Sequence, residues 1–248
     1  MTSLHLVVGV TSAGKTARSV ELARHHGSPV LALDRVQCHT QLTVGSGRPT
    51  PGELQGTQRI YPIQRPVQAG AISAAEAVDR TVHHRKALHD AGVGAVVLEG
   101  GSISILRELV TRHDWCEAAA AVHVECWLEG SAIGHAQQIA DRVERMLGYG
   151  TPPGERTLVD ELADLWPDPE ARTPLREVIG YRELIDLCTC EGLDPGQLRG
   201  QAARMRRATF AEAVTEAHLD YAHQQRLALA AALPALADRG CEVTLCEN

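Results

Sequence analysis

Eight residues near the start of the chain, Gly9-Val10-Thr11-Ser12-Ala13-Gly14-Lys15-Thr16, have the types and spacing of a phosphate-binding loop. The glycines let the backbone curl so that its N–H groups converge on an anion. Lys15 adds a mobile positive charge, the Thr16 hydroxyl can hold Mg²⁺, and a helix starting there adds its dipole. Such a loop needs a strand before it and a helix after it. The apolar run 4–8 and the helical stretch 17–26 supply both. The chemistry implied is binding of a di- or triphosphate, with an unliganded glycine-rich turn as the bland alternative.

Two further blocks lie where the same crevice should form. In an open α/β sheet, ligands bind beyond the carboxyl ends of the strands. The second apolar run ends in Asp34-Arg35-Val36-Gln37, so Asp34 either faces the phosphate crevice or caps a short helix. Glu99-Gly100-Gly101-Ser102 closes another strand and opens another helix, offering more N–H groups or simply a turn capped by Ser102. Between them, Thr43-Val44-Gly45-Ser46-Gly47-Arg48-Pro49 is a polar loop with two glycines.

The elements that must position these groups follow from periodicity. Apolar runs at 4–8, 29–33, 95–98 and 121–127 read as strands buried on both faces, and helical patterns at 15–26, 73–91 and 102–112 separate most of them. That predicts an α/β class with a parallel sheet flanked by helices, like that of phosphate-loop NTPases. After residue 130 the pattern turns helical, at 131–147, 155–166, 174–188 and 195–233, with Gly200 a weak point in the last. In the second of these, Leu158, Val159, Leu162, Leu165 and Trp166 form a stripe against Asp160, Glu161 and Asp164. The expected division is a sheet domain at 1–129 and a smaller helical domain at 130–248 that closes the cleft. Residues 241–248 carry no signal.

Composition narrows the partners. The formal charge of −7 disfavours a nucleic-acid partner, because a basic surface supplies most of that affinity. Seven cysteines are scattered without metal-ligand spacing, as expected for reduced thiols in a cytoplasmic protein. No apolar segment is long enough to span a bilayer, so no membrane partner is expected. The histidines lack metal spacing. Arg199, Arg204, Arg206 and Arg207 spread around their helix as exposed charge.

The blocks LHLVVGVTSAGKT, PVLALDRVQC, LTVGSGRPTPGELQGTQRIY, VVLEGGSISIL, DRVERML, LVDELADLW and IGYR together resemble the isopentenyltransferase family. Within it they resemble the adenylate dimethylallyltransferases that make cytokinins in plant-associated bacteria. The resemblance implies transfer of a five-carbon allylic group from dimethylallyl diphosphate to N6 of adenine in AMP, with Mg²⁺ and release of diphosphate. It assigns the phosphate loop, from Gly9 through Thr11, Ser12, Ala13, Gly14, Lys15 and Thr16, to the donor diphosphate. Ser102 and Arg142 fall on that same side, and Thr16 on the metal. Asp34 matches the general base, with Ser46 and Arg182 on the acceptor side. Ile179, His218 and Tyr221 fall at the prenyl pocket, and Ile179 also continues a Leu175–Val178 stripe that reads as plain core. Arg145, three residues from Arg142, reads as a solvated charge.

Two other enzymes share these parts: a tRNA dimethylallyltransferase and a phosphate-loop small-molecule kinase. The acidic charge, the absence of room for an inserted tRNA-gripping domain, and DRVQ in place of DSxQ argue against the first. A nucleotide-binding regulator that has lost its chemistry would not need to keep Lys15, Thr16, Asp34 and Arg142.

Overall fold

A computed structural model describes residues 2–128, 130–150, 154–198 and 201–247. Arg199 and Gly200 therefore lie outside the described residues. The four expected strands are present as β1 (Ser3–Gly9), β2 (Val30–Ala32), β4 (Ala95–Gly100) and β5 (Ala121–Leu128). Two more join them: β3 (Arg59–Ile60) and β6 (Glu242–Glu247). All pair in parallel, in the order β3-β2-β4-β1-β5-β6. The strand that leads into the phosphate loop is thus central. Leu4, Leu6, Val7 and Val8 are almost wholly buried, as are Val96, Val97 and Leu98 beside them. Unbroken apolar runs are what a sheet covered on both faces demands.

Helices α1 (Lys15–His26), α3 (Ala74–Asp90) and α4 (Ile103–Thr111) accompany the sheet, with a single turn, α2 (Pro51–Leu54), in the long connection between β2 and β3. Ser73 caps α3 by accepting from Glu76 N–H. The later part of the chain forms α5 (Ala132–Met146), α6 (Leu158–Leu165), α7 (Pro169–Arg176), α8 (Tyr181–Cys190) and α9 (Gln201–Ala237). The stretch expected as one helix at 174–188 is broken instead. Gly180, at φ +96°, turns the chain between α7 and α8, a conformation L side chains resist.

The C-terminal part is not purely helical. After α9 the chain returns to the sheet, where β6 lies in register beside β5, pairing Val124 with Val243 and Cys126 with Leu245. Its exposed, weakly alternating sequence explains why residues 241–248 gave no signal. Arg239 fastens the return by donating to the carbonyls of Leu109 and Arg112 at the end of α4.

The stripe on α6 holds for Leu158, Val159, Leu162 and Leu165 but needs one correction: Glu161 is fully buried, not solvated. Its Oε1 accepts from Thr43 N–H at 2.8 Å, Thr43 Oγ1 at 2.6 Å and Val44 N–H at 2.9 Å. Its Oε2 accepts from Gly45 N–H at 3.0 Å and Tyr181 Oη at 2.5 Å. Five donors on one carboxylate make a buried charge tolerable and pin the loop after β2 to α6 and α8. The charge and hydrogen bond of Glu161, with burial foremost, hold the Tyr181 hydroxyl well above its ordinary pKa. Glu161→Gln turns one accepting oxygen into a donor that faces other donors. The expected loss is ~2–4 kcal/mol of unfolding free energy, measured by urea denaturation; less than ~1 kcal/mol would remove Glu161 as the anchor.

Candidate active site

The carboxyl ends of β1, β2 and β4 lie level, since Val8 pairs with Gly100 and Ala32 with Glu99. The phosphate loop, Asp34 and the Gly100-Gly101-Ser102 turn therefore open into one crevice. In the loop, Ser12 adopts φ +60°, and its Oγ is buried with no protein partner among the described residues. An orphaned hydroxyl at the apex of a phosphate loop fits a missing anion. Gly9 and Ala13 are packed into the loop, and Gly14 caps α1. Lys15 folds back, its Nζ donating to Val10 C=O at 2.5 Å. Burial brings its pKa down to about 8, against the raising influence of Glu99 and Asp34.

Asp34 satisfies both readings. Its Oδ1 accepts from Val36 N–H at 2.8 Å and Gln37 N–H at 3.2 Å, capping a turn rather than a helix. Its Oδ2 has no hydrogen-bond partner among the described residues. The residue is half-exposed, yet its carboxyl is packed about by protein, and that burial raises its pKa above the usual carboxylate range. The two backbone N–H groups and Arg59 act in the opposite direction, while Glu99 reinforces the rise.

Arg142 reaches across from α5 to join the two substrate loops. Its Nη1 lies 3.4 Å from Thr11 Oγ1 and its Nη2 3.4 Å from Gly47 C=O. Burial lowers its pKa, offset by Asp34, Glu53 and Glu99. Arg145 is exposed, as expected. The glycines of the Gly45-Ser46-Gly47 loop are explained by what these helices deliver. A Cβ at Gly45 would lie 2.2 Å from Tyr181 Oη, and one at Gly47 would lie 1.7 Å from Arg142 Nη2.

Other predicted residues fall into place unevenly. Ser46 Oγ donates to Leu42 C=O in its own loop. Ser102 leaves α4 uncapped and pairs its Oγ with Ser104 Oγ at 3.2 Å. Thr16, in the first turn of α1, is half-buried, with no hydrogen-bond partner for its hydroxyl among the described residues. Arg182 is not brought into the site: its guanidinium pairs with the adjacent Glu183 at 2.6 Å and is half-exposed. Ile179 sits half-buried in the turn before α8, outside the packed core that takes Leu175. On α9, His218 Nε2 is buried without a partner among the described residues, and burial beside Arg142 lowers its pKa to about 3. Tyr221 Oη donates to Gly101 C=O at 3.4 Å, and burial raises its pKa to about 12 with help from Asp34. Its hydroxyl is thus beside the base, not at the far end of a prenyl pocket. Of the arginine group, Arg204 is exposed, Arg206 pairs with Glu191, and Arg207 lies over the Tyr149 ring.

Four residues that the sequence did not single out complete the crevice. Glu99 is 4% exposed and pairs with the equally buried Arg59 at 2.5 Å. Both act electrostatically on Asp34. Gln225 of α9 accepts from Thr11 N–H at 2.7 Å and donates to Gly101 C=O at 2.6 Å. His135 of α5 donates from Nε2 to Thr11 C=O at 2.7 Å. A usable signal existed for Gln225: it interrupts the apolar stripe Val214, Ala222, Leu229, Ala232, Leu236 at core spacing. No cluster of three or more potential metal-ligating side chains (His, Cys, Asp, Glu) occurs among the described residues.

A family model described as isopentenyl transferase matches residues 2–238, and the chain belongs to that family. The adenylate dimethylallyltransferase of Ralstonia solanacearum is 37% identical over 219 residues, spanning 88% of this chain and 90% of that one. That of Allorhizobium ampelinum is 34% identical over 235 residues, spanning 94% and 95%. Among solved structures, a tRNA Δ2-isopentenylpyrophosphate transferase from Staphylococcus epidermidis superposes with a TM-score of 0.68 at 16% identity, covering 100% of this chain and 93% of that one. That likeness speaks to the fold, a parallel sheet flanked by helices.

If Arg142 completes the site from the helical side, Arg142→Ala should cut kcat/KM by about 10²-fold, the scale of losing one charge-stabilising donor. Arg145→Ala should leave it within about twofold, since exposed charges contribute little. Steady-state kinetics on the two variants decides; equal losses would contradict the distinction.

Proposed function

We propose that the chain transfers a dimethylallyl group from dimethylallyl diphosphate to N6 of adenine in AMP, releasing diphosphate, as a step of cytokinin biosynthesis. The observation that carries this reading is Arg142 spanning the phosphate loop and the Gly45-Ser46-Gly47 loop, with Asp34 close enough to influence its charge. One side of that bridge suits a diphosphate and the other an acceptor with a proton to give up.

Breaking the donor C1–O bond leaves positive charge on the allylic carbon and negative charge on diphosphate. Lys15, Arg142, Ser12 Oγ and the first N–H groups of α1 would stabilise the departing anion. N6 of adenine is a weak nucleophile because its lone pair is delocalised into the ring. As N6–C1 forms, the free Oδ2 of Asp34 would take the N6 proton. The burial that raises its pKa also makes Asp34 a stronger base. Ser46 and the backbone beside it would line the acceptor side, Ser102 the diphosphate side, and Ile179 and His218 the prenyl end. Arg182 is no longer put forward for the acceptor.

Mg²⁺ fits this donor set in one way only: a hard cation held chiefly by diphosphate oxygens and water, with the unpartnered Thr16 hydroxyl as its protein ligand. It would supply further neutralisation of the leaving group.

The tRNA reading loses one of the arguments against it, because a tRNA transferase chain is spanned to 93% by this one. Length does not separate the two. The net charge of −7 and the small-molecule relatives support AMP. No helix among the described residues is long and apolar enough to cross a membrane, and a cytoplasmic enzyme with two small-molecule substrates is the reading we adopt.

Mass spectrometry of a reaction of AMP, dimethylallyl diphosphate and Mg²⁺ should show N6-prenylated AMP. Prenylation of a tRNA transcript with none of AMP would move the assignment, and phosphate transfer from ATP without donor would favour a kinase. The pH profile of kcat/KM tests the named groups. Activity should fall above pH about 8 as Lys15 loses its charge in the free enzyme. It should fall on the acid side at a pH above the ordinary carboxylate range, as Asp34 is protonated. Asp34→Asn should lower kcat by ~10²-fold or more and abolish the acid limb; near-normal turnover would remove Asp34 from the base role.

A further inference from the structure

The apex of the phosphate loop is held by side chains that come from far away in sequence. Thr11 is gripped on three sides: its N–H by Gln225, its C=O by His135 and its hydroxyl by Arg142. Two of those partners belong to α5 and the third to α9. Gln225 alone also reaches the second glycine-rich turn, donating to Gly101 C=O. It is 4% exposed, so both of its polar ends are committed inside the protein.

We propose that Gln225 is a positioning residue for the diphosphate subsite, which sets the phosphate loop and the Gly100-Gly101-Ser102 turn at a fixed spacing. The inference rests on the reading of this loop as the site of the donor diphosphate. Three observations converge on it. The Thr11 N–H is spent on Gln225, so the loop is held open at its apex without a ligand. The next residue, Ser12, takes a left-handed conformation with its hydroxyl unpartnered, and such a conformer persists only when its surroundings fix it. Gly101 is shaped for the same side chain, because a Cβ there would lie 2.5 Å from Gln225 Nε2 and 2.9 Å from Gly9 C=O.

The geometry depends on both ends of an amide. Oε1 faces a donor and Nε2 faces an acceptor, so neither an apolar nor a charged substitute serves both turns. Asn is one methylene shorter. Tyr221, one turn earlier on α9, adds a second, longer contact to Gly101 C=O but none to Thr11. A diphosphate must be contacted by both turns at once, and a spacing that drifts loses one set of donors.

The test measures equilibrium binding of inorganic diphosphate to the full chain by calorimetry, beside binding of AMP and thermal unfolding. Gln225→Leu should weaken diphosphate by about tenfold or more, as two polar groups lose their partner, while AMP affinity stays within about twofold. Leu236→Ala, a core truncation on the same helix, should lower the melting temperature without changing diphosphate affinity, which separates positioning from general destabilisation. Gln225→Glu gives a second readout should the leucine variant fail to fold. Its carboxylate still accepts from Thr11 N–H but offers Gly101 C=O nothing until it is protonated. Its deficit relative to wild type should shrink between about pH 8 and about pH 5.5.

Diphosphate affinity in Gln225→Leu within twofold of wild type, or an equal loss in Leu236→Ala, would overturn the proposal. So would a Gln225→Glu deficit that does not change with pH. Because the probe is diphosphate alone, these outcomes stand apart from the proposed reaction. A wild type that binds diphosphate but prenylates no AMP would sink that reading and leave the role of Gln225 intact.

Discussion

A backbone that binds phosphate has to keep several N–H groups unpaired, and unpaired N–H groups are what a folding chain avoids. The loop cannot close on itself without losing its purpose, so it has to be held from outside. Here the restraint comes from the helices of the second half of the chain. His135, Arg142 and Gln225 hold Thr11, while Glu161 and Tyr181 do the same for the loop at 43–45. The sheet supplies the floor on which the two loops stand, and the helices decide their shape.

The same arrangement places five charged groups in little solvent. Lys15, Arg59 and Arg142 face Asp34 and Glu99, and each moves its neighbours' ionisation. No single pair dominates. Arg59 and Glu99 are in direct contact, yet both act on Asp34 with opposite sign. The balance keeps Lys15 charged at neutral pH while leaving Asp34 more basic than an exposed carboxylate. A diphosphate entering such a cluster meets preset charges rather than mobile water, which is where electrostatic stabilisation of a leaving group is strongest.

Much of this was legible in the amino-acid sequence, for reasons that differ by element. The strands at the sheet centre announced themselves because burial on both faces forbids polar alternation. The phosphate loop and Asp34 were visible because their chemistry fixes residue type and local spacing. Arg142 was placed by a motif rather than by periodicity, and the structure brings it to both loops. Glu161 was hidden by its type: a carboxylate on an amphipathic helix reads as solvated unless its five donors, more than a hundred residues earlier or twenty later, are known. Arg182 erred in the other direction, since its neighbour Tyr181 carries the structural work of Gly180-Tyr181-Arg182. The weak edge strand β6 has no buried face to betray it, and only its pairing with β5 makes it a strand.

Thr11 and Gln225 are 214 residues apart, and the helix that bears Gln225 is the last long element before the closing strand. A ribosome therefore releases the phosphate loop long before it releases the side chain that shapes it. The growing chain can fold its central strands early, but the loop stays unshaped at its apex until α9 docks. Contacts of such separation close late and slowly. A polyphosphate would find no finished binding surface on a partly synthesised chain, so competence for ligand arrives in one step near the completion of folding. The helix closes the cleft and, by the same contact, schedules when the cleft first exists.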